Sequence, residues 1–207
     1  MIALVHGLGL SHRYFGRLQP LLPNAVAVDL RGASLDELTA SLSLAVAPRA
    51  LLVANSLGAQ IATELAVRSP ERVSGLVLTG PTWDPDAPSI PEQFVRLLAD
   101  SYRELPSLVP VALLDYARRG PRQILGAARA MLRHPMLERL GEVDAPVVIV
   151  RGSRDPICGQ AWAEQAAAAA ANGRLVVVDG AAHAVDWSHP AVVAEIVEEL
   201  QQSLGER

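Results

Sequence analysis

The chain has 207 residues and a formal net charge of −4, with 50% hydrophobic and 19% charged side chains. That length suits one domain with a substantial core, and the apolar content excludes disorder. The acidic balance lacks a basic stripe and so excludes a nucleic-acid binder, while no apolar run is long enough to span a membrane.

Met1 to Val5 has neither the charged start nor the cleavage site of a signal peptide and leads straight into a strand, Ile2 to Val5, ending at His6-Gly7-Leu8-Gly9. The expected location is therefore cytoplasmic, and the single cysteine, Cys158, fits a reducing compartment without an internal disulfide. Tyr14, Phe15, Leu18, Leu21 and Leu22 recur with helical period and predict a helix ending near Pro23. Ala25 to Leu30 reads as the second strand. Leu35 to Val46 reads as a helix with Leu38, Leu42 and Ala45 on one face. A third strand, Ala50 to Ala54, breaks at Asn55-Ser56, and Ile61, Ala62, Leu65 and Ala66 then follow at helical spacing. Arg72 to Thr79 supplies a fourth strand. Four alternations of strand and helix indicate a parallel, doubly wound sheet with right-handed crossovers.

The alternation stops at the proline-rich stretch from Pro81 to Glu92. Ser89-Ile90-Pro91-Glu92 has capping-box spacing and predicts a helix to about Glu104. Two more helices are expected, from about Leu108 to Arg119 and from Pro121 to His134. Residues 81–142 would thus form a helical insertion placed as a lid over the strand ends, and residues 1–80 and 143–207 the core. A helical decoration without a gating role accounts for the same pattern. Pro146 to Val150 and Leu175 to Val178 are the fifth and sixth strands. A helix lies between them from Gln160 to Ala171, stopped by Asn172-Gly173, and a last helix runs from Pro190 to Gln202.

Ser56, Asp155 and His183 each fall just past the carboxyl end of a predicted strand, the third, fifth and sixth. In a parallel sheet those ends share the edge where ligands bind. Ser56 also opens a helix, whose free N–H groups favour negative charge. Two readings of it stand: an exposed nucleophile, or an ordinary helix cap. Ala54-Asn55-Ser56-Leu57-Gly58 resembles the nucleophile elbow Gly-x-Ser-x-Gly of the α/β-hydrolase family, with Ala54 in place of the first glycine. Arg151 to Ile157 is similar to that family's acid turn and Gly180-Ala181-Ala182-His183 to its histidine loop, in the family's order of serine, acid, histidine. The resemblance covers nearly the whole chain. It implies an α/β-hydrolase fold: a six-stranded, mainly parallel sheet flanked by helices, with the lid between the fourth and fifth strands.

The chemistry then assigns roles. A serine hydroxyl needs a base to take its proton, which would be His183, and Asp155 would orient the imidazole. Two N–H donors must meet the oxyanion. Leu57, next after the nucleophile, is one expectation, and Leu8 is the family-like choice for the other. His6, Gly7, Asn55 and Trp83 are candidate pocket residues. The expected substrate is a small to medium, largely apolar acyl ester, thioester or lactone, cleaved through an acyl-enzyme without a cofactor or metal. The same fold also serves ligand binding and lyase, isomerase or cyclase chemistry.

Other residues carry competing readings. Gly7-Leu8-Gly9 followed by Asp29 half-matches a dinucleotide fingerprint, but His12 stands where its third glycine belongs. Asp84 and Asp86 are substitute acids. His134 reads as a helix-end cap, His189 as a surface residue, Cys158 as a packed thiol, and His12 and Tyr14 as pocket borders or exposed helix residues. Trp162 and Trp187 read as pocket walls or core. Family members ordinarily have two further strands before the one that begins at Ile2. Without them the strand from Ala25 is expected at a sheet edge, covered by a chain segment or by a second copy in a homodimer. Every basic side chain but histidine is arginine, which suggests a GC-rich bacterial genome.

Overall fold

Six short apolar runs become six parallel strands in the computed structural model, which describes residues 1–82 and 89–205. They are β1 (Ile2–Val5), β2 (Ala25–Val28), β3 (Ala50–Asn55), β4 (Val73–Thr79), β5 (Val147–Gly152) and β6 (Gly173–Val178), in the order β2-β1-β3-β4-β5-β6. Inner strands read as continuous apolar runs because both faces are covered. Alternate residues divide between two cores. Ala3, Val5, Leu52, Leu76 and Ile149 face α1 (Leu35–Ala45), α2 (Leu57–Arg68) and α7 (Gln160–Ala169). Ile2, Leu4, Val53, Val77 and Val148 face α9 (Pro190–Gly205) and the segment after β1. Between β4 and β5 the chain forms α3 (Ile90–Ser101), α4 (Val109–Arg119), α5 (Pro121–Met131) and α6 (Met136–Gly141). The capping box expected at α3 is present, with Ser89 Oγ accepting from Glu92 N and Glu92 Oε2 accepting from Ser89 N.

Four sequence expectations change. The helix expected after β1 is two 3₁₀ turns, His12–Phe15 and Gln19–Leu21. Pro20 has no N–H for a continuous α-helical ladder, and Leu21, one of the periodic residues, is exposed. The helix α6 was not expected, because Pro135 reads as an end. It forms because Met136 and Leu140, four apart, are both buried. Gly173 opens β6 instead of ending α7, which stops at Ala169, and only glycine fits at 173 because a Cβ there would lie 2.0 Å from Ala167 O. A short helix, α8 (Val185–Ser188), follows the histidine loop.

The strand β2 is outermost, as expected. Gln19 Nε2 donates to Ala25 O, yet Val26 remains half-exposed. From β1 the chain moves out to β2, then crosses back to β3 on the other side. The order therefore reverses between β1 and β3, where open α/β sheets bind ligands. Register places Val5 beside Ala54, Asn55 beside Thr79, and Thr79 beside Val150, so the loops after these strands open at one level.

Candidate active site

The elbow begins with a strained serine. Ser56 has φ 54° and ψ −118° and its side chain makes no cap hydrogen bond, which removes the ordinary N-cap reading. A non-glycine residue there costs about 1–3 kcal/mol and persists only where its surroundings hold it. Ser56 N–H donates to Thr79 O at 3.0 Å, and Asn55 Nδ2 donates to the same carbonyl at 3.3 Å. Beneath them Thr79 Oγ1 and Tyr14 Oη both donate to the fully buried Asp186, whose carboxyl burial pushes up to about 6. Gly58 is required by close approach: its Cβ would lie 2.4 Å from Val5 O. The elbow closes with Ala54 fully buried in β3.

The acid turn is held from within. Asp155 Oδ1 accepts from Ile157 N (2.7 Å) and Cys158 N (2.9 Å), which leaves Oδ2 for His183 Nδ1 at 2.9 Å. The buried Arg151 braces the turn through Cys158 O, Asp155 O and Gln160 Oε1. Burial alone would lower the His183 pKa. The charge and hydrogen bond of Asp155, with Asp100 and Glu104 beyond, instead hold it up to about 9. Those two carboxyls come from the insertion. Asp100 Oδ1 accepts from His183 N at 3.0 Å, and Glu104 Oε1 from Ala184 N at 2.6 Å. Burial pushes the Glu104 carboxyl up to about 7 against the pull of the Ala184 N–H, and raises Asp100 as well.

Ser56 and His183 share a cavity of about 400 Å³ at this edge, lined also by Gly7, Leu8 and Asn55 from the core and by Thr82 just past β4. Tyr116, Ile124, Leu125 and Met131 of the insertion complete its wall. His183 is the one charged group among its described lining residues. No hydrogen bond from the Leu8 or Leu57 N–H occurs among the described residues. Leu57 opens α2, where an N–H has no intrahelical partner.

Of the other candidates, Gly7 and Asn55 line the cavity, but His6 does not; it lies behind the first loop. Trp83, Asp84 and Asp86 lie outside the described residues. Asp29 accepts from both the backbone and the ring of His12 at 2.7 Å, so the acid of the half-matched dinucleotide fingerprint is engaged by the segment after β1. Tyr14 is fully buried and is not among the described residues lining this cavity. His134 is no cap: it is buried, its Nε2 3.0 Å from Glu64 Oε1. His189 is half-buried against Ser188, while Cys158 is buried without a disulfide. Trp162 and Trp187 are buried core residues whose Nε1–H groups donate to Pro81 O and Ser107 Oγ.

The sequence reading missed Gly80, Asp100, Glu104 and Arg151. Gly80, at φ 54°, passes under the acid–histidine pair, and its Cβ would lie 2.7 Å from His183 Cε1 and 3.3 Å from Asp155 Oδ2. We expect Gly80→Ala to lower turnover at least tenfold and to cost about 1–3 kcal/mol, from positive φ and displaced imidazole together. Steady-state kinetics and a urea melt check both, and unchanged kinetics would show that His183 tolerates the methyl group.

The chain belongs to the α/β hydrolase family, whose model matches residues 2–196. Among curated proteins it is similar to a pimeloyl-acyl-carrier-protein methyl ester esterase of Neisseria meningitidis serogroup B, 30% identical over 94% of this chain and 90% of that protein. A protein of the same description from Aromatoleum aromaticum is 27% identical, over 96% and 97% of the two chains. Among solved structures a bromoperoxidase from Bacillus anthracis shares the fold at a TM-score of 0.81 and 15% identity, over 97% of this chain and 91% of that one.

Proposed function

We propose that this chain is a serine hydrolase that cleaves a carboxylic ester of a medium, neutral acyl group through an acyl-enzyme. The observation that carries this reading is a strained Ser56, its hydroxyl making no cap hydrogen bond, sharing a largely apolar cavity with a histidine already paired to a buried aspartate. Ser56 Oγ attacks the carbonyl carbon and passes its proton to His183 Nε2, while Asp155 keeps the Nδ1–H aligned and stabilises the imidazolium. The Leu8 and Leu57 N–H groups receive the oxyanion. His183 returns the proton to the departing alkoxide, and the alcohol leaves. Water then repeats the sequence and frees the acid.

Because the described lining carries no arginine or carboxylate, a free acid end would be desolvated there with only the catalytic-side imidazole of His183 to meet it. A methyl or other small alkyl ester fits, and the relatives' description as methyl ester esterases of a carrier-bound acyl chain supports that choice. The insertion, residues 81–142 on the core of 1–80 and 143–207, acts as a lid in this proposal, since it supplies half the cavity wall. The open edge at Val26 leaves β2 free to pair with a second copy. Among the described residues no helix is long and apolar enough to cross a membrane.

Labelling with a fluorophosphonate, read by intact mass, tests the core of the proposal. We expect one adduct on the wild type, none on Ser56→Ala, and labelling slowed by about 10³-fold or more on His183→Ala. A folded wild type that takes no label would defeat the nucleophile assignment.

A further inference from the structure

We propose that one face of α4, formed by Asp115, Tyr116 and Arg119, positions the Leu8 N–H for the oxyanion by acting through the buried imidazole of His6. This rests on the reading of Ser56 as nucleophile and Leu8 as oxyanion donor. The Arg119 guanidinium makes three hydrogen bonds to the core, to Leu30 O at 3.0 Å, Leu10 O at 3.0 Å and His6 Nε2 at 3.1 Å. Leu30 N–H also points at His6 Nε2, at 3.3 Å. Both neighbours of that nitrogen are donors, so Nε2 carries a lone pair and the ring proton sits on Nδ1. Nδ1–H therefore donates to Gly7 O at 2.9 Å.

The Gly7 carbonyl and the Leu8 N–H are the two ends of one planar peptide and point in opposite directions. Holding the oxygen aims the hydrogen. Leu10 N–H adds a second bond to Gly7 O at 3.3 Å. The rest of the α4 face grips the same loop. Tyr116 packs on Gly9, whose Cβ would lie 2.6 Å from the ring, and Asp115 accepts from Ser11 Oγ at 2.6 Å and from Arg13 Nη1 at 3.2 Å. Burial pushes the His6 pKa down; the Gly7 bond opposes this, Arg119 adds to it, and the result is about 4. The ring thus stays neutral near pH 7 and keeps the tautomer the chain of bonds requires. These are positioning residues: none of the three α4 side chains is needed to touch the oxyanion.

A donor aimed at the transition-state oxygen acts on turnover more than on substrate binding. For Arg119→Ala we expect kcat per fluorophosphonate-titrated site to fall about 10–100-fold with KM within about threefold. Affinity for an alkyl boronic acid, whose tetrahedral serine adduct places an oxygen at the same spot, should fall by a similar factor. Arg119→Lys, which keeps the charge but not the three-way fork, should lie between. His6→Phe should lose as much as Arg119→Ala, and the double variant little more than either, because both break one chain. Unchanged kcat and boronate affinity per titrated site in Arg119→Ala and Arg119→Lys, with only melting temperature lowered, would overturn the proposal. So would losses that multiply in the double variant. A wild type without label at Ser56 would instead sink the hydrolase reading itself, so the two failures are separable.

Discussion

Ser56→Gly is expected to abolish turnover and stabilise the protein. Loss of the proposed nucleophile should lower kcat by about 10⁴–10⁶-fold, leaving only what the proposed oxyanion donors and binding supply. The same change removes a Cβ from a backbone at φ 54° and ψ −118°. Relief of about 1–3 kcal/mol, less about 0.5–1 kcal/mol for the freer unfolded chain, leaves a net gain of about 0–2.5 kcal/mol, centred on about 1 kcal/mol. At this chain length that raises the melting temperature by a few degrees. Ser56→Ala separates the two effects, because it loses the hydroxyl but keeps the strained Cβ. It should be as inactive as the glycine variant and no more stable than the wild type. Urea melts of the three proteins read the difference, and equal stability of the glycine and alanine variants would show that the elbow stores no strain.

The second large effect is on pH. As the proposed base, His183 could take the Ser56 proton only when neutral, and with its pKa near 9 the neutral fraction rises close to tenfold from pH 7 to 8 and about fivefold from 8 to 9. The ascending limb of kcat/KM should therefore lie near pH 9 instead of the 6.5 of an ordinary histidine, with about a fiftyfold gain between pH 7 and 9. Glu104→Gln removes one of the charges that hold the imidazolium, while its amide oxygen still accepts from Ala184 N–H. The limb should move to lower pH and activity at pH 7 should rise several-fold. Asp100→Asn should act in the same direction. Asp155, bonded directly to the ring, stays in both variants, as does the more distant Asp186. A wild-type limb near 6.5, or a limb that Glu104→Gln leaves in place, would show that the insertion carboxyls do not set the basicity of His183.

Most of the architecture was legible locally. The inner strands are contiguous apolar runs because helices cover both faces of the sheet. Errors came where a short-range signal was ambiguous: Pro135 hid α6, and helical period after β1 hid two 3₁₀ turns interrupted by proline. Asp155 and His183 were legible as residues past strand ends, but their pairing at 2.9 Å and the bracing by Arg151 were not. Asp100 and Glu104 are four apart in a mixed polar stretch, which reads as solvated surface.

From sequence alone came the alternation of strand and helix, the turn that carries Ser56, and the order serine, aspartate, histidine. Each is written in neighbouring residues, where spacing and side-chain size control the backbone directly. Tertiary structure alone decided the electrostatics of the site and the contacts that hold the first loop. Glu104 meets Ala184 across 80 positions, Asp100 meets His183 across 83, and Arg119 meets His6 across 113. A carboxylate in water and one buried beside an imidazole are the same letter. Only the fold sets the distance and the solvent between two charges, and those two quantities govern how strongly they act.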